Sequence, residues 1–341
     1  MKGTCIPAIL LALCCSLPAA PAWAQDGVSP GGTLRERIRE RQAQRQQKTD
    51  SPVSADPSAK ITRPGDYSFT INHDGIERDY RVHVPARYNP NNAAPLLVSL
   101  HGGGANMDYQ ASEQNYGQIS KSEREGFIIV FPNGYSRLGG KLATWNAGNC
   151  CGQARDRNVD DVGFIRKMIE NLEHQLNIDR NRIFATGMSN GGLMAHRLAC
   201  EMSETFKAIA PVAGTDNTKV CEPRNPVSVL QIHARNDDHL PFEGGMGAKS
   251  VGSAVTSFTS VPESIARWVK RNGCPGTARR VLDRPHVFCD VYGPCKGNTT
   301  VELCVTDSGG HSWPGASKSR GEPASTAISA NDVMWDFFMS R

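Results

Sequence analysis

From about residue 61 onward the chain alternates short apolar runs with amphipathic stretches. Tyr67–Asn72 and Arg78–Val84 alternate apolar and polar positions on either side of Asp74-Gly75, a pair suited to a primed hairpin turn. Largely apolar runs follow at Leu96–Leu100, Phe127–Phe131, Ile183–Thr186, Ala208–Val212, Val227–Ile232 and Thr300–Val305. They read as strands covered on both faces. Helical stretches lie between them: Val162–Leu176 behind Asp160 and Asp161, Ile265–Val269 behind the capping box Ser260-Val261-Pro262-Glu263, and Val333–Met339. Strands alternating with helices predict an α/β fold, a mostly parallel central sheet with helices on both faces, in one domain over 65–341.

The first 64 residues read differently. Lys2, the apolar stretch Ile6–Leu17, Pro18, Pro21 and the small-residue site Ala22-Trp23-Ala24 predict a cleaved signal peptide over 1–24. The apolar stretch is shorter than the roughly 20 residues a membrane-spanning helix needs. Cys14 and Cys15 raise the rival of a lipoprotein signal, but Leu13 is a poor cleavage neighbour. Residues 25–64 form a basic, polar segment and linker; within them, 33–50 offer only Leu34, Ile38 and Ala43 as apolar points, which suits a solvated helix.

Composition and charge narrow the function classes. Hydrophobic residues make up 39% and charged residues 21% of 341, values of a globular chain rather than a disordered or polytopic membrane one. Lys2 and the 25–60 segment supply most of the formal +4, so the body beyond residue 60 is nearly neutral. Without a basic patch, a nucleic-acid partner is not expected. Past the leader, eight cysteines remain, at 150, 151, 200, 221, 274, 289, 295 and 304. An even number in an exported chain predicts disulfides, and adjacent Cys150 and Cys151 are expected each to seek a distant partner. No CxxC knuckle occurs, so no metal is expected.

The chemistry concentrates in a few segments. Gly187-Met188-Ser189-Asn190-Gly191 is a GxSxG sequence between a strand signal and a helical stretch, the context that lifts a nucleophilic serine onto a tight turn. A serine hydroxyl needs a base, and the base needs a group that fixes its tautomer. Asp237, after the run Val227–Ile232, and His311, in the loop Ser308-Gly309-Gly310-His311, follow Ser189 in the expected order; Asp238 competes with Asp237. The amides of Gly103, in His101-Gly102-Gly103-Gly104, and of Asn190 are the candidate oxyanion donors. His101, His196 and His233 read as structural, and Trp145 and Trp313 as pocket walls or core. The Gly/Ser-rich loop from 243 to 259 is expected at the pocket rim.

The segments LHGGGAN, WNAGNCCG, VDDVGF, TGMSNGGLMAHRLACE, IAPVAG and GGHSWPG, in that order, resemble the secreted polyhydroxybutyrate depolymerase-like esterases, α/β-hydrolases related to the feruloyl and acetylxylan esterases of carbohydrate esterase family one. The resemblance runs from about residue 65 to the end. It implies Ser189 as nucleophile, His311 as base, Asp237 as acid, Gly103 and Asn190 as oxyanion hole, and no cofactor. The family usually carries HGTAD before its acid, where this chain has His233-Ala234-Arg235-Asn236-Asp237 followed by Asp238 and His239. No polymer-binding domain follows the catalytic motifs, so soluble esters or oligomers are expected ahead of crystalline polyester. The expectation is an exported serine esterase acting on hydroxyalkanoate esters. Its alternatives are a feruloyl or acetylxylan esterase on plant cell-wall polysaccharide, or a binding protein that kept the hydrolase fold without catalysis. No membrane insertion or obligate protein partner is expected.

Overall fold

The computed structural model describes residues 52–54, 56, 58–247, 256–317 and 323–341. The expected signal peptide, residues 25–51 of the expected basic segment and residues 248–255 of the expected rim loop lie outside the described residues. The end of that segment, expected as linker, is instead tied to the domain: Val53–Ser54 pairs with the strand at Gly65–His73, and Ile61 is buried in the core, where its apolar side chain leaves water.

The strands are β1 (Val53–Ser54), β2 (Gly65–His73), β3 (Ile76–Val84), β4 (Ala94–Leu100), β5 (Ile128–Pro132), β6 (Ile178–Met188), β7 (Ala208–Val212), β8 (Ser228–Ala234), β9 (Gly245–Met246), β10 (Ser257–Phe258), β11 (Arg279–Arg284), β12 (Val287–Tyr292) and β13 (Val301–Thr306). Eleven of them form one sheet in the order β1-β2-β3-β5-β4-β6-β7-β8-β13-β12-β11; β9 and β10 pair separately. The run from β5 to β13 is parallel, flanked by the antiparallel hairpins β2–β3 and β11–β12. Chain order reverses between β4 and β6, since β5 returns to one side of β4 while β6 and β7 step to the other. The carboxyl ends of two strands diverging at such a point leave a crevice between their loops. Those two loops are the ones that begin with His101 and Ser189.

Alternation along β4 divides the interior into two layers. Leu96, Val98 and Leu100 pack with Phe164 and Leu193, whereas Leu97 packs with Phe184, Trp335 and Phe338 on the other face. The first layer is covered by the helices Asp161–Gln175, Asn190–Glu201 and Val261–Asn272, and the second by Ala330–Met339. Local signals start these helices as the sequence suggests: Asp160 accepts from the Gly163 N–H and Ser260 from the Glu263 N–H. Asp161, by contrast, is buried and paired with Arg78 at 2.6 Å. Its second oxygen accepts the Asn146 N–H at 2.7 Å, so one carboxylate joins β3 to the loop that carries Trp145.

Two departures from the sequence reading concern the polar β11–β12 hairpin and the cysteines. Arg279–Arg284 exposes nearly every side chain, as an edge strand with charges can, and so carries no apolar pattern. Cys150 and Cys151 do not reach distant partners: they are bonded to each other across a cis peptide, with Cα atoms 3.1 Å apart. The reason is one of pairing. Cys200–Cys221, Cys274–Cys295 and Cys289–Cys304 use the other six.

Candidate active site

Ser189 sits between β6 and the helix Asn190–Glu201 with φ 57° and ψ −120°, a conformation that L-residues rarely hold. The glycines around it are required by packing. A Cβ on Gly187 would come within 2.5 Å of the Gly191 carbonyl carbon, and one on Gly191 would overlap the carbonyl oxygen of Leu100. The turn therefore closes directly onto the end of β4.

That closure brings the His101–Gly104 loop alongside the serine. A Cβ on Gly102 would lie 3.6 Å from Ser189 Cβ, and one on Gly103 would lie 3.5 Å from Asn190 Cβ. Among the described residues, the N–H groups of Gly103 and Asn190 find no acceptor, while the neighbouring Gly104 N–H is bonded to Ala143 O. Two unspent amides beside a serine hydroxyl are what a developing oxyanion needs.

The loop is held from behind. His101 is fully buried; its Nε2 accepts the Gly134 N–H at 2.9 Å, so Nδ1 carries the proton and donates to Gly102 O at 2.8 Å. Burial lowers its pKa to about 4, which keeps the ring neutral. Trp145 is fully buried too, its indole N–H donating to His101 O at 3.0 Å. It supports the loop from the core and does not line the cleft, contrary to the pocket-wall reading. An indole with its N–H committed inward and its face against His101 has no surface left for a ligand.

His311 and Asp237 arrive from the loops after β13 and β8. Asp237 is buried; its Oδ2 accepts from His311 Nδ1 at 2.8 Å, and its Oδ1 accepts the N–H groups of His239 and Leu240, each at 2.9 Å. Burial would raise its pKa, but hydrogen bonds from His233 and His311 outweigh it and hold the carboxyl well below the usual range. Asp238 instead faces half-exposed surroundings, bonded to His239 Nδ1 at 2.7 Å. Burial pulls His311 below the ordinary histidine value, against the opposing pull of Asp237.

A residue the sequence reading passed over is His239, whose ring stacks on His311 with centroids 4.7 Å apart. Asp237, His239 and His311 bring ligand atoms within 4.8 Å of one another, the spacing of a cation site. Both Asp237 oxygens and His311 Nδ1 are already engaged in hydrogen bonds, so the cluster is accounted for without an ion.

Ser189 and His311 both open into a cleft of about 210 Å³, whose walls include Tyr109, Tyr116 and Trp313. Trp313 stands edge-on to Tyr116 at 5.3 Å and donates from its indole to Asn331 Oδ1. Among the described residues, none of the flanks of the expected rim loop, 243–247 and 256–259, lines this cleft.

A mostly parallel sheet reversing its order beside a serine elbow, with helices on both faces, is the α/β-hydrolase fold. Residues 72–267, more than half of the chain, match the model of the esterase family described as "Putative esterase", and the chain belongs to that family. Feruloyl esterase B of Piromyces equi is 30% identical over 237 residues, which cover 67% of this chain and 42% of that protein. The chain thus spans less than half the length of that relative. "Probable feruloyl esterase C" of Aspergillus niger is 30% identical over 77% of this chain and 84% of its own. The solved acetyl xylan esterase of Aspergillus awamori shares the fold, with a TM-score of 0.53 at 15% identity over 77% of this chain and 94% of that one.

Proposed function

We propose that this chain is an exported serine carboxylic-ester hydrolase that removes feruloyl or acetyl groups from plant cell-wall polysaccharide. The observation that carries the reading is the union of Ser189, His311 and two unspent amides at one cleft with aromatic walls. Relatives named as feruloyl esterases support this substrate class over the polyester one. Aromatic walls that include Tyr109, Tyr116 and Trp313 suit an aromatic acyl group. Three disulfides between separated cysteines, together with the signal-like N-terminus, support export.

In this reading His311 Nε2 takes the Ser189 hydroxyl proton as Oγ attacks the ester carbonyl. The oxygen that becomes negative is met by the amides of Gly103 and Asn190, each such donor supplying on the order of 2.7–4 kcal/mol. Collapse breaks the ester C–O bond, and His311 returns the proton to the departing alcohol. Water, deprotonated by the same ring, then attacks the acyl-serine and releases the acid. Asp237 holds Nδ1–H throughout and offsets the imidazolium charge.

The test is mass spectrometry of products released from feruloylated arabinoxylan, acetylated xylan and poly(3-hydroxybutyrate), against a Ser189→Ala control. Free ferulate or acetate is the expected result. Hydroxybutyrate oligomers alone would restore the polyester reading, and an inert protein that a fluorophosphonate fails to label would point to a binding role.

A further inference from the structure

The mechanism above uses Asp237 but leaves unexplained a line of buried polar side chains that ends on it. Trp268, His196, Gln231 and His233 are all sealed from solvent in the layer beneath the elbow helix. Trp268 Nε1 lies 2.9 Å from His196 Nδ1, and His196 Nε2 lies 3.1 Å from Gln231 Oε1. Gln231 Nε2 lies 3.2 Å from His233 Nδ1. His233 Nε2 lies 2.9 Å from Leu240 O and 3.4 Å from Asp237 Oδ2. Gln231 and His233 are two apart on β8, so their side chains share a face, and the elbow helix presents His196 to it.

The direction of these bonds follows from one fact: an indole nitrogen only donates. His196 Nδ1 therefore accepts, which leaves its proton on Nε2. Gln231 must turn its oxygen to that proton and its NH₂ toward His233. His233 Nδ1 therefore accepts, which leaves its single proton on Nε2, aimed at Leu240 O and Asp237 Oδ2. We propose that Trp268, His196 and Gln231 form a one-way relay that locks His233 as the neutral Nε2–H tautomer, making His233 the positioning residue for Asp237.

The alternatives would each harm the site. With its proton on Nδ1, His233 would turn a lone pair onto two oxygens. As an imidazolium it would compete with His311 for the same Asp237 oxygen, because Oδ2 faces both rings. The neutral Nε2–H form steadies the carboxylate and leaves its charge for His311. The groups facing this pair are Asp237, His239 and His311 on the site side, with Asp216 and Arg271, bonded to each other, beside His196. Burial keeps His196 below the ordinary histidine value, consistent with a neutral link.

The proposal rests on the esterase reading, and the experiment separates their failures. Gln231→Leu keeps the bulk but removes both the acceptor for His196 Nε2 and the donor to His233 Nδ1, so nothing fixes the His233 tautomer. The expected result is a fall of tenfold or more in kcat with KM within twofold, and an acid limb of kcat/KM displaced from that of the parent. A folded Gln231→Leu enzyme with the parent kcat and acid limb would overturn the relay. ¹⁵N spectra of histidine-labelled parent protein read the tautomers directly, whether or not the variant folds: protons on Nε2 of His196 and His233 are expected, and a proton on His233 Nδ1 would overturn it. A parent protein that hydrolyses no ester and takes up no fluorophosphonate would sink the esterase reading alone, leaving the tautomers to decide the relay.

Discussion

Asn190 and Trp145 are bonded to each other twice. The Trp145 N–H donates to Asn190 Oδ1 at 2.7 Å and Asn190 Nδ2 donates back to Trp145 O at 3.1 Å, all within the buried core. One side chain thus ties the residue after the serine elbow to the loop that props up His101. Asn190 offers the cleft an unspent backbone amide and braces the facing loop with its side chain.

Asn190→Ala keeps the amide and removes the clamp. The buried N–H of Trp145 is left without an acceptor, which costs about 1–3 kcal/mol. Urea denaturation of the variant is expected to show that loss, accompanied by a fall in kcat. A variant with parent stability would mean that the loop does not depend on the clamp.

Ser189→Gly is expected to be inactive and yet more stable. A non-glycine residue at φ 57° and ψ −120° carries strain of about 1–3 kcal/mol, which glycine relieves. A raised melting temperature alongside lost fluorophosphonate labelling is the expected pair. An unchanged or lowered melting temperature would argue that the elbow is unstrained.

Glycine positions on the two facing loops should differ sharply. Gly191→Ala forces a methyl into the Leu100 carbonyl oxygen and is expected to cost several kcal/mol or abolish soluble expression. At Gly103 the same methyl meets Asn190 Cβ at 3.5 Å, an ordinary contact, so Gly103→Ala should fold. Equal losses of soluble protein in the two variants would contradict this packing.

The pH profile follows from the direction of the His311 shift. In the proposed mechanism His311 must be neutral to take the serine proton, and burial moves its pKa below the ordinary value of about 6.5. The acid limb of kcat/KM is therefore expected to have its midpoint below about pH 6.5. A midpoint above 7 would exclude this environment for the base.

Stability should fall over a neighbouring range for a different reason. His101 stays neutral in the folded protein down to about pH 4. The unfolded chain takes up that proton below about pH 6.5, so protonation favours unfolding between the two values. The stabilisation present above pH 6.5 is lost as pH falls toward 4, on the order of 3 kcal/mol for this group. Urea midpoints measured from pH 7 to 4.5 would test it, and a flat series would contradict a buried neutral His101.

Much of the fold is legible in local patterns. The apolar runs mark β4 to β8 and β13 to within two residues or so at most ends, because strands buried on both faces must be continuously apolar. Helix starts at Asp160 and Ser260 are legible because a cap is a local hydrogen bond. The hairpin β11–β12 is not, since its exposed edge strand of arginines carries no such pattern.

The candidate site divides in the same way. Motif and chain order single out Ser189, Asp237, His311 and the His101–Gly104 loop, because a serine elbow needs small neighbours at fixed spacing and its partners follow their strands in order. Nothing local could show that Trp145 faces the core, that Cys150 pairs with Cys151, that His239 stacks on His311, or that Gln231 links two histidines. The sequence by itself determines which residue types are available and where strands begin and end, since those depend on neighbours along the chain. Only the tertiary structure decides which buried polar atoms meet, because desolvated donors and acceptors must find partners from whichever elements the sheet order brings beside them.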